Sequence, residues 1–458
     1  MKKQIIGMMC ATALLSSCNI YKTYERPLVE TSGMYRDTVS VSDTLASDTT
    51  NMGNLPWKEV FRDPKLQALI DMGISKNIDL QTAMLRVEEV KAALLTARLA
   101  FLPSLSLSPQ GTISSFDGNA ATKTYQLPVT ASWELDVFGN MLNVKREAKA
   151  SLLQSEAYTQ AVQTQVVANI ANCYYTLLML DSQLDITEKT AKIWEENVRT
   201  MKAMKKAGMV NEAAVSQYEA NYYMVNATLP DLNRQIRETE NSLSLLLGQA
   251  PQQIERGTLA DQKMLESFSV GVPLQMLSNR PDVKQAEMAL AGSYYYTNQA
   301  RSAFYPKITL SGSAGWTNSA GGAIINPAKF IATAVGSLTQ PLFDRGVNVA
   351  KLKIAKAQQQ EALLAFQQSI LNAGSEVSNA LYKYQSAGEK CVQRKLQIES
   401  LNSTVYKTQQ LMKLGSSTYL EVLTAQQSLL SAQLSDVQDS FERIQSVISL
   451  YQALGGGR

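Results

Sequence analysis

Few side chains in this chain of 458 residues are of the types that carry out chemistry in proteins. The chain has no histidine, the side chain that most often serves as general base and metal ligand at neutral pH. Of its four cysteines, Cys10 and Cys18 lie near the amino terminus, whereas Cys173 and Cys391 lie in long helical patterns without a motif partner. We therefore predict that the last two are small packing residues, and that the chain is not an enzyme and holds no metal or cofactor.

The amino terminus has the pattern of a secretory leader. A short basic start precedes the apolar run 5–15, which is too short to span a membrane, and the run ends in Leu-Ser-Ser-Cys at 15–18, which resembles a bacterial lipobox. This resemblance implies a signal peptide over 1–17, with a diacylglycerol and an N-acyl chain on Cys18. An ordinary cleavage site with a chance cysteine is the alternative. No acidic retention or export signal follows, so we expect the lipid in the periplasmic leaflet of the outer membrane, with a tether over 18–54.

The composition argues against a nucleic-acid partner. The formal net charge is +3, and two of the positive charges are leader lysines, so no basic surface remains for a polyanion. Charged residues make up only 18% of the chain, which is low for a coiled coil. Because Gln, Asn, Ser and Thr take the polar positions instead, we expect uncharged polar walls of the kind that suit an aqueous lumen.

The chain is internally duplicated. The segment that ends at Pro103 recurs at Pro306, a spacing of 203, and the segment around Gly208 recurs around Gly415, a spacing of 207. A unit of this length is too long for a solenoid repeat, so the copies must be two sister structures. The predicted parts are a first repeat, an equatorial linker and a second repeat, over 55–248, 249–279 and 280–458.

Each repeat shows the same order of elements. Between Tyr125 and Leu135 apolar residues alternate with polar ones, which indicates a strand with one apolar face. Long stretches without proline then carry apolar residues at spacings of three and four, and each ends at a glycine that marks a turn into a shorter helix. The elements predicted in the first repeat are strands 104–116 and 124–137, long helix 140–207 and return helix 212–247. Those predicted in the second repeat are strands 307–317 and 329–340, long helix 347–414 and return helix 419–454.

The helical segments have three further features. A continuous helix of about 68 residues would be about 100 Å long, which is more than a globular domain needs. Pro230 lies inside a predicted return helix and should kink it. The glycine run 455–457 lacks the strand, helix and lysine of a phosphate-binding loop, and we expect a frayed tail there.

Strands are the candidate route of this chain across a bilayer. Outside the leader, no apolar stretch reaches the eighteen or so residues of a membrane helix. Unpaired backbone groups are not tolerated in lipid, and four strands cannot close a barrel, since closed ones have at least about eight. The chain must therefore share a barrel with copies of itself, although the residues alone leave the number of copies open.

Short motifs mark defined places in both repeats. They include Pro56-Trp57, Asp63-Pro64 and Arg86-Val87 in the first repeat, and Arg280-Pro281-Asp282-Val283 and Tyr305-Pro306 in the second. Together with the lipobox and the duplication, these residues resemble the TolC-like outer-membrane factors, in particular the NodT-type lipoprotein branch that serves resistance-nodulation-division efflux pumps. The resemblance implies a mainly α fold with a transmembrane β part. It also implies a homotrimer that forms a twelve-stranded outer-membrane β-barrel continued by a long periplasmic α-helical barrel.

The resemblance assigns a role to the two glycine turns. They would form the periplasmic tip, where family members contact the hairpin of a periplasmic adaptor (membrane fusion) protein. The candidate adaptor-binding residues are Gly208, Met209, Val210, Gly415, Ser416 and Ser417. The alternative is a plain helix turn whose glycine supplies only a left-handed cap, and both interpretations can hold at once.

The resemblance also points to a gate. Family members place acidic rings just inside the tip, and the equivalent positions here are Glu421 and Thr424, so one ring would keep its charge and the other would present a hydroxyl. Three like charges at one constriction would raise one another's proton affinity and could collect cations. In a single chain, however, a glutamate in the first turn of a helix is more often a partner of the helix dipole.

These observations predict a passive conduit in the outer membrane. Drugs, toxic compounds or metal ions would arrive from an inner-membrane pump through the adaptor, and the pump would supply the energy. Two alternatives stay open: a channel for type I secretion of proteins or peptides, and a lipid-anchored scaffold that spans the periplasm and conducts nothing. The apolar strand face argues against the scaffold.

Overall fold

The structure is a computed structural model and describes residues 21–27, 55–115, 117–118, 120–262, 280–318 and 329–457. Cys18, most of the predicted tether and residues 263–279 of the predicted linker lie outside the described residues. None of the helices within the described ranges is long and apolar enough to cross a membrane.

The described residues form eight helices and five strands. In the first repeat they are α1 (Trp57–Val60), α2 (Pro64–Lys76), α3 (Ile78–Leu99), β1 (Ser104–Leu107), β2 (Gln110–Ser114), β3 (Thr122–Leu135), α4 (Asn140–Lys206) and α5 (Glu212–Leu246). In the second repeat they are α6 (Pro281–Ser302), β4 (Lys307–Asn318), β5 (Lys329–Thr339), α7 (Val347–Lys413) and α8 (Tyr419–Ala453).

The chain divides into two compact units. One, the strand unit, contains the described parts of 1–29, 85–156 and 284–368. The other, the helix unit, contains the described parts of 30–84, 157–283 and 369–458. Both units draw residues from both repeats, so neither repeat folds as a separate body.

The strand unit is built on one antiparallel sheet with the order β1-β3-β4-β5, in which β2 also pairs with β3. The predicted strand 104–116 is wrong in one respect, because it is two short strands with a break at 108–109. The break lies opposite Pro128 of β3, and neither Pro109 nor Pro128 has an N–H for the ladder. The predicted strand 124–137 is observed two residues earlier, and the fourth strand ends at Thr339.

The two faces of the sheet differ in chemistry. On one face the register aligns Ser106, Thr130, Ser313 and Thr333 in a row across four strands, and the hydroxyls of the two outer pairs lie 2.6 and 2.7 Å apart. The opposite face carries large apolar side chains that are exposed: Leu105, Leu107, Leu127, Val129, Trp133, Leu310, Trp316, Phe330 and Leu338. The alternation predicted for the second strand is therefore confirmed and is shared by β1 and β4. In β5 it is less regular, because the exposed Ile331 and Val335 lie on the hydroxyl face.

A carboxylate joins the end of β3 to the start of α4. Asp136 accepts hydrogen bonds from the backbone N–H groups of Met141 (3.0 Å) and Leu142 (2.7 Å). These N–H groups belong to the first turn of α4 and have no partner within the helix, so the carboxylate acts as a cap. β3 ends at Leu135, one residue before the carboxylate that caps α4.

The four long helices match the prediction to one residue. Both long helices have 67 residues and both return helices have 35, and each ends one residue before its predicted end because the glycine turn takes over the last carbonyl groups. The return helix α5 continues as one element through Pro230. Pro230 is exposed, so water can satisfy the carbonyl that loses its N–H partner.

The carboxyl terminus is packed, and the predicted frayed tail at 455–457 is wrong. Thr164 of α4 donates a hydrogen bond to the carbonyl of Gly456 (2.6 Å), and the N–H of Gly457 donates to the hydroxyl of Tyr451 (2.8 Å). A Cβ at Gly456 would lie 2.3 Å from the ring of Tyr451, so a larger residue does not fit. Glycine is needed here for close approach of the backbone, not for mobility.

Two motif residues hold the helix unit together. Asp63 caps α2 by accepting from the N–H of Lys65 (2.9 Å), and it also accepts from the hydroxyl of Tyr174 (2.6 Å) and the amide of Gln262 (2.9 Å). Burial alone would raise the pKa of Asp63, but these hydrogen bonds outweigh it and lower the pKa below the ordinary 3.8. Burial raises the pKa of the Tyr174 hydroxyl, which therefore stays a donor.

The second motif residue is Arg280, which is buried at the start of α6. Its guanidinium donates to the carbonyl of Ala453 at the end of α8 (2.7 Å). It also pairs with Asp282 (2.7 Å) and with Glu376 of α7 (2.6 Å). The guanidinium of Arg280 thus links the start of α6 to α7 and to the end of α8.

Replacement of Asp63 by Asn should lower the stability of the protein at neutral pH and have less effect in acid. Because the pKa is lowered on folding, the ionised carboxylate stabilises the fold above about pH 4, and this contribution is lost as the pH falls through the folded-state pKa. After screening by solvent we expect about 1 kcal/mol at pH 7. Thermal unfolding of detergent-purified protein at pH 7, 5 and 3 measures it.

Asp71→Asn is the matched control. Asp71 is exposed and pairs only with Lys58 (3.0 Å), so its replacement should change the stability by no more than about 0.5 kcal/mol at any of these pH values. A difference between wild type and Asp63→Asn that stays constant from pH 7 to pH 3 would contradict the role of the charge.

Candidate functional site

The two long helices end in turns with the same backbone geometry. Gly208 (φ +74°) and Gly415 (φ +73°) adopt the left-handed conformation that favours glycine. After α4, the N–H of Gly208 donates to the carbonyl of Lys205 (2.9 Å) and that of Met209 donates to the carbonyl of Met204 (2.9 Å). The same two bonds, at 3.1 and 2.9 Å, close the turn at Gly415. This pattern is the Schellman motif, which satisfies the last carbonyls of a helix and lets the chain reverse.

The surface of both turns is open. Neither turn glycine has an atom within 4 Å of the position that a Cβ would occupy. Met209 is 69% exposed and Ser416 is exposed, whereas Val210 and Ser417 are half-buried. The residues predicted to contact an adaptor therefore form an accessible surface with one prominent apolar side chain.

The two return helices begin with different caps. The side chain of Asn211 accepts from the N–H of Ala214 (3.0 Å) and caps α5 in the usual way. At the equivalent place in α8, Thr418 makes no such bond; its hydroxyl donates to the carboxylate of Glu421 (3.4 Å), and so does the hydroxyl of Ser417. Glu421 thus binds two hydroxyls in the first turn of α8, where a negative charge also favours the helix dipole.

The predicted gate residues lie on one face of α8. Glu421 and Thr424 are both exposed and are three residues apart, which places them one above the other on the helix. The hydroxyl of Thr424 donates to the carbonyl of Leu420 in its own helix (2.9 Å). A ring at this place would therefore present one carboxylate and one hydroxyl from each protomer.

An apolar core lies beneath both turns. This tip cluster consists of Ala191, Trp194, Val198, Met201, Val215, Tyr218, Val225 and Leu423. The rings of Trp194 and Tyr218 pack with their centroids 5.5 Å apart. Val210 from the first turn and Met412 beside the second turn pack against the same cluster. The two turns consequently rest on one shared core.

Polar side chains in and around the tip cluster also connect the two hairpins. Asn197 donates to Gln426 (3.1 Å), and the hydroxyl of Tyr218 donates to the carbonyl of Tyr419 (3.4 Å). Gln427 donates to Asn221, a buried side chain. Since each of these bonds joins the first repeat to the second, they fix the register of one hairpin against the other.

The tip cluster is not evident from the sequence alone. The spacing of Trp194, Val198 and Met201 by four and three residues was a visible signal of an apolar helix face. The pattern could not show that Leu423, from the other repeat, completes the same core.

Cys173 and Cys391 are both half-buried, free thiols. Burial raises the pKa of each thiol, so the reactive thiolate is disfavoured. This environment suits the packing role that their positions predict.

Two glycines, one inside α7 and one in the turn that follows it, provide a test of the turn geometry. Gly415→Ala should lower the stability by about 1 kcal/mol, because alanine is strained at φ +73° although no atom obstructs its Cβ. Gly388→Ala, inside the helix and equally open, should raise the stability by about 1 kcal/mol. Melting temperatures of the purified proteins measure both, and two changes of the same sign would contradict the turn assignment.

Comparison with known proteins places this architecture in a family. The model of the outer membrane efflux protein family matches residues 69–249 and 272–456. The chain is 28% identical to the cation efflux system protein CusC of Escherichia coli O6:H1 over 455 residues, which cover 98% of this chain and 97% of that protein. It is 26% identical to the probable efflux pump outer membrane protein TtgC of Pseudomonas putida, over 100% of this chain and 96% of that protein.

Solved structures of similar sequence have the same fold. A crystal structure of CusC superposes with a TM-score of 0.87 at 26% identity, covering 96% of this chain and 100% of that one. The open state of the outer membrane channel MtrE of Neisseria gonorrhoeae superposes with a TM-score of 0.87 at 27% identity, covering 96% and 98%. The two family matches together span most of the chain, and the chain therefore belongs to the outer membrane efflux protein family.

Proposed function

We propose that this chain forms the outer-membrane channel of a tripartite efflux system and conducts small molecules passively to the exterior. The observation that carries the proposal is the two-faced sheet, with exposed apolar side chains on one side and a row of hydroxyls on the other. In a transmembrane barrel the apolar face meets lipid and the polar face lines the lumen. A scaffold that conducts nothing has no use for such a sheet.

The channel is a homotrimer whose protomers meet along α7. Support comes from the ten exposed large apolar side chains of α7, eight of which fall at two positions of a seven-residue repeat: Val347, Ile354, Leu364, Leu371, Tyr382, Val392, Leu396 and Tyr406. Val349 and Leu411 are the two exceptions. This spacing is that of a helix that packs along a partner in a left-handed supercoil. The outer edges of β5 and of β1 and β2 have no partner strand among the described residues, so neighbouring copies can pair with them.

The two turns form the docking site for the periplasmic adaptor, which connects the channel to an inner-membrane pump. Support comes from the exposure of Met209 and Ser416, and from the open space around both turn glycines. The tip cluster holds the two turns on a common core, so both can present a defined surface to one partner. Glu421 forms a ring at the aperture while it also accepts hydrogen bonds from the hydroxyls of Ser417 and Thr418 at the start of its own helix.

Cys18 carries the lipid anchor, and residues 21–27 attach the tether to the protein. Cys18 itself lies outside the described residues, but Tyr21 follows it by only three positions, a span of at most about 10 Å. The ring of Tyr21 lies against Gly139, between the end of β3 and the start of α4, where the membrane surface would be. Further along, the guanidinium of Arg26 donates to the carboxylate of Glu287 (2.7 Å), a buried side chain of α6. This ion pair attaches the tether to the strand unit.

The cargo consists of small toxic molecules or cations. Relatives of this chain are named for cation efflux, for toluene efflux and for antibiotic efflux. The pump supplies the energy, and the chain contributes the conduit.

Single-channel conductance in a planar lipid bilayer tests the channel and the aperture together. The wild-type protein should give small, steady steps, and Glu421→Ala should give larger ones, because three side chains and the cations that they collect leave the constriction. Glu421→Gln separates charge from size, since it keeps the shape and an acceptor oxygen. Glu88→Ala, an exposed acid on α3 that pairs with Lys91, should leave the conductance unchanged.

A silent bilayer from protein that is shown to be inserted would reject the channel itself. Equal conductance of the wild type and both Glu421 variants would reject only the acidic ring at the aperture. Glu421 would then serve only its hydrogen bonds at the start of α8.

Replacement of Cys18 by Ser should remove the lipid without closing the channel. Intact-mass spectrometry should show loss of a diacylglycerol and an acyl chain, and the variant should keep its conductance because the strands hold it in the membrane. A wild-type mass without lipid would show that Cys18 is a chance cysteine at an ordinary cleavage site.

A further inference from the structure

A cleft of about 560 Å³ lies on the first hairpin, between α4 and α5 and close to the Gly208 turn. Three cations line it, namely Arg199, Lys202 and Lys206. Two acids, Glu195 and Glu219, also line it, so the lining has a net charge of +1 (3 − 2 = 1). This tip cleft is a charged depression that adjoins the proposed docking turn.

Two of the three cations have no partner. Lys202 forms an ion pair with Glu219 (2.7 Å) that bridges α4 and α5. Arg199 and Lys206 are exposed and make no hydrogen bond or ion pair within the part of the chain that the structure describes. They are seven residues apart on α4, which places them on one face, about 10 Å from each other along the helix. Their charges are free to meet an anionic partner.

The opposite wall of the tip cleft is aromatic. Tyr222 and Tyr223 of α5 lie side by side with their ring centroids 5.4 Å apart. Tyr222 packs against the tip cluster, and Tyr223 is 65% exposed. Tyrosine offers an apolar ring together with a hydroxyl, a combination that is enriched at protein interfaces. The tip cleft thus has a cationic wall and an apolar wall.

The second hairpin does not reproduce this surface. At a spacing of 207, the cations and acids of the tip cleft correspond to Asn402, Tyr406, Gln409, Lys413 and Gln426. The tyrosine pair corresponds to Leu429 and Leu430. Of the charges, only the one at Lys206 persists, as Lys413, and both of these lysines lie at a helix end where a cation favours the dipole. Arg199 has no such explanation within the fold.

We propose that the tip cleft docks an acidic amphipathic helix of the periplasmic adaptor, so that the two repeats of one protomer offer an adaptor different chemistry. Arg199 and Lys206 pair with carboxylates two turns apart on that helix, and an apolar side chain lies against Tyr222 and Tyr223. The inference rests on the proposed function, because it takes the adaptor to be the occupant. An interface between copies of this chain and a lumen-facing position are the other outcomes of the test.

The test measures adaptor binding by the full-length trimer in detergent. The probe is the adaptor protein that co-purifies with the wild-type chain from its own host, and its dissociation constant is measured at about 0.1 M and 0.5 M NaCl. The double variant Arg199→Glu/Lys206→Glu should weaken binding at least about tenfold at low salt, because two attractive pairs become repulsive. Salt should weaken the wild-type complex more than the variant complex, since exposed pairs are screened.

The second repeat supplies the matched control. Lys413→Glu makes the same change at the same helix position as Lys206→Glu but outside the tip cleft. Lys206→Glu should weaken binding more than Lys413→Glu does, and Lys413→Glu should change it by less than about threefold. Equal weakening by both variants would overturn the proposed difference between the repeats.

The remaining outcomes separate the alternatives. Loss of the trimer in the double variant, seen by size-exclusion chromatography, would place the tip cleft between copies and overturn the proposal. Unchanged adaptor affinity would also overturn it, and a simultaneous change in ion selectivity in bilayers would place the cations in the lumen. A wild-type trimer that retains no adaptor would reject the proposed function and the inference with it, whereas the other outcomes leave wild-type binding intact and concern the tip cleft alone.

Discussion

Reversal of a very long helix within a few residues is the constraint on which each repeat depends. The last four carbonyls of a helix have no partner inside it, and a chain that turns back at once needs new partners for them. A left-handed glycine turn provides them at Gly208 and Gly415, and the same pair of backbone bonds closes the return helices at Gly248 and Gly455. Only after this reversal can Trp194 and Tyr218 meet across a hairpin and form the tip cluster.

Buried polar contacts play the corresponding role away from the turns. Asp63 and Arg280 each join several elements through hydrogen bonds to side chains and to a helix cap or end. Both residues belong to motifs that carry the family resemblance, and in the structure they hold helices together. The proposed functional surfaces, by contrast, are exposed: the apolar sheet face, the exposed apolar side chains of α7 and the two turns. Structural and functional residues are therefore largely different sets in this protein.

Duplication provides two hairpins of equal length, but it does not make them equivalent. The caps of the return helices differ, with Asn211 in one and the Glu421 cluster in the other. Of the charged and tyrosine residues that line the tip cleft in the first hairpin, only Lys206 has a like residue, Lys413, in the second. In the proposed homotrimer, the six hairpins would therefore be of two chemical kinds, three of each. Partners that contact both hairpins thus meet two environments, and this asymmetry arises from substitutions on a conserved backbone plan.

The sequence by itself determined the order of elements and their bounds to within a residue or two, because strand alternation, helix periodicity and turn glycines are local signals. Family membership also followed from residues that lie close together in the chain. The break at 108–109, the packing of Gly456 on Tyr451 and the tip cluster were decided only by the tertiary structure. Each of these depends on a residue far away in the chain, such as Pro128 opposite the break or Leu423 beneath the turns. Local periodicity has no information about which distant surface a residue will face.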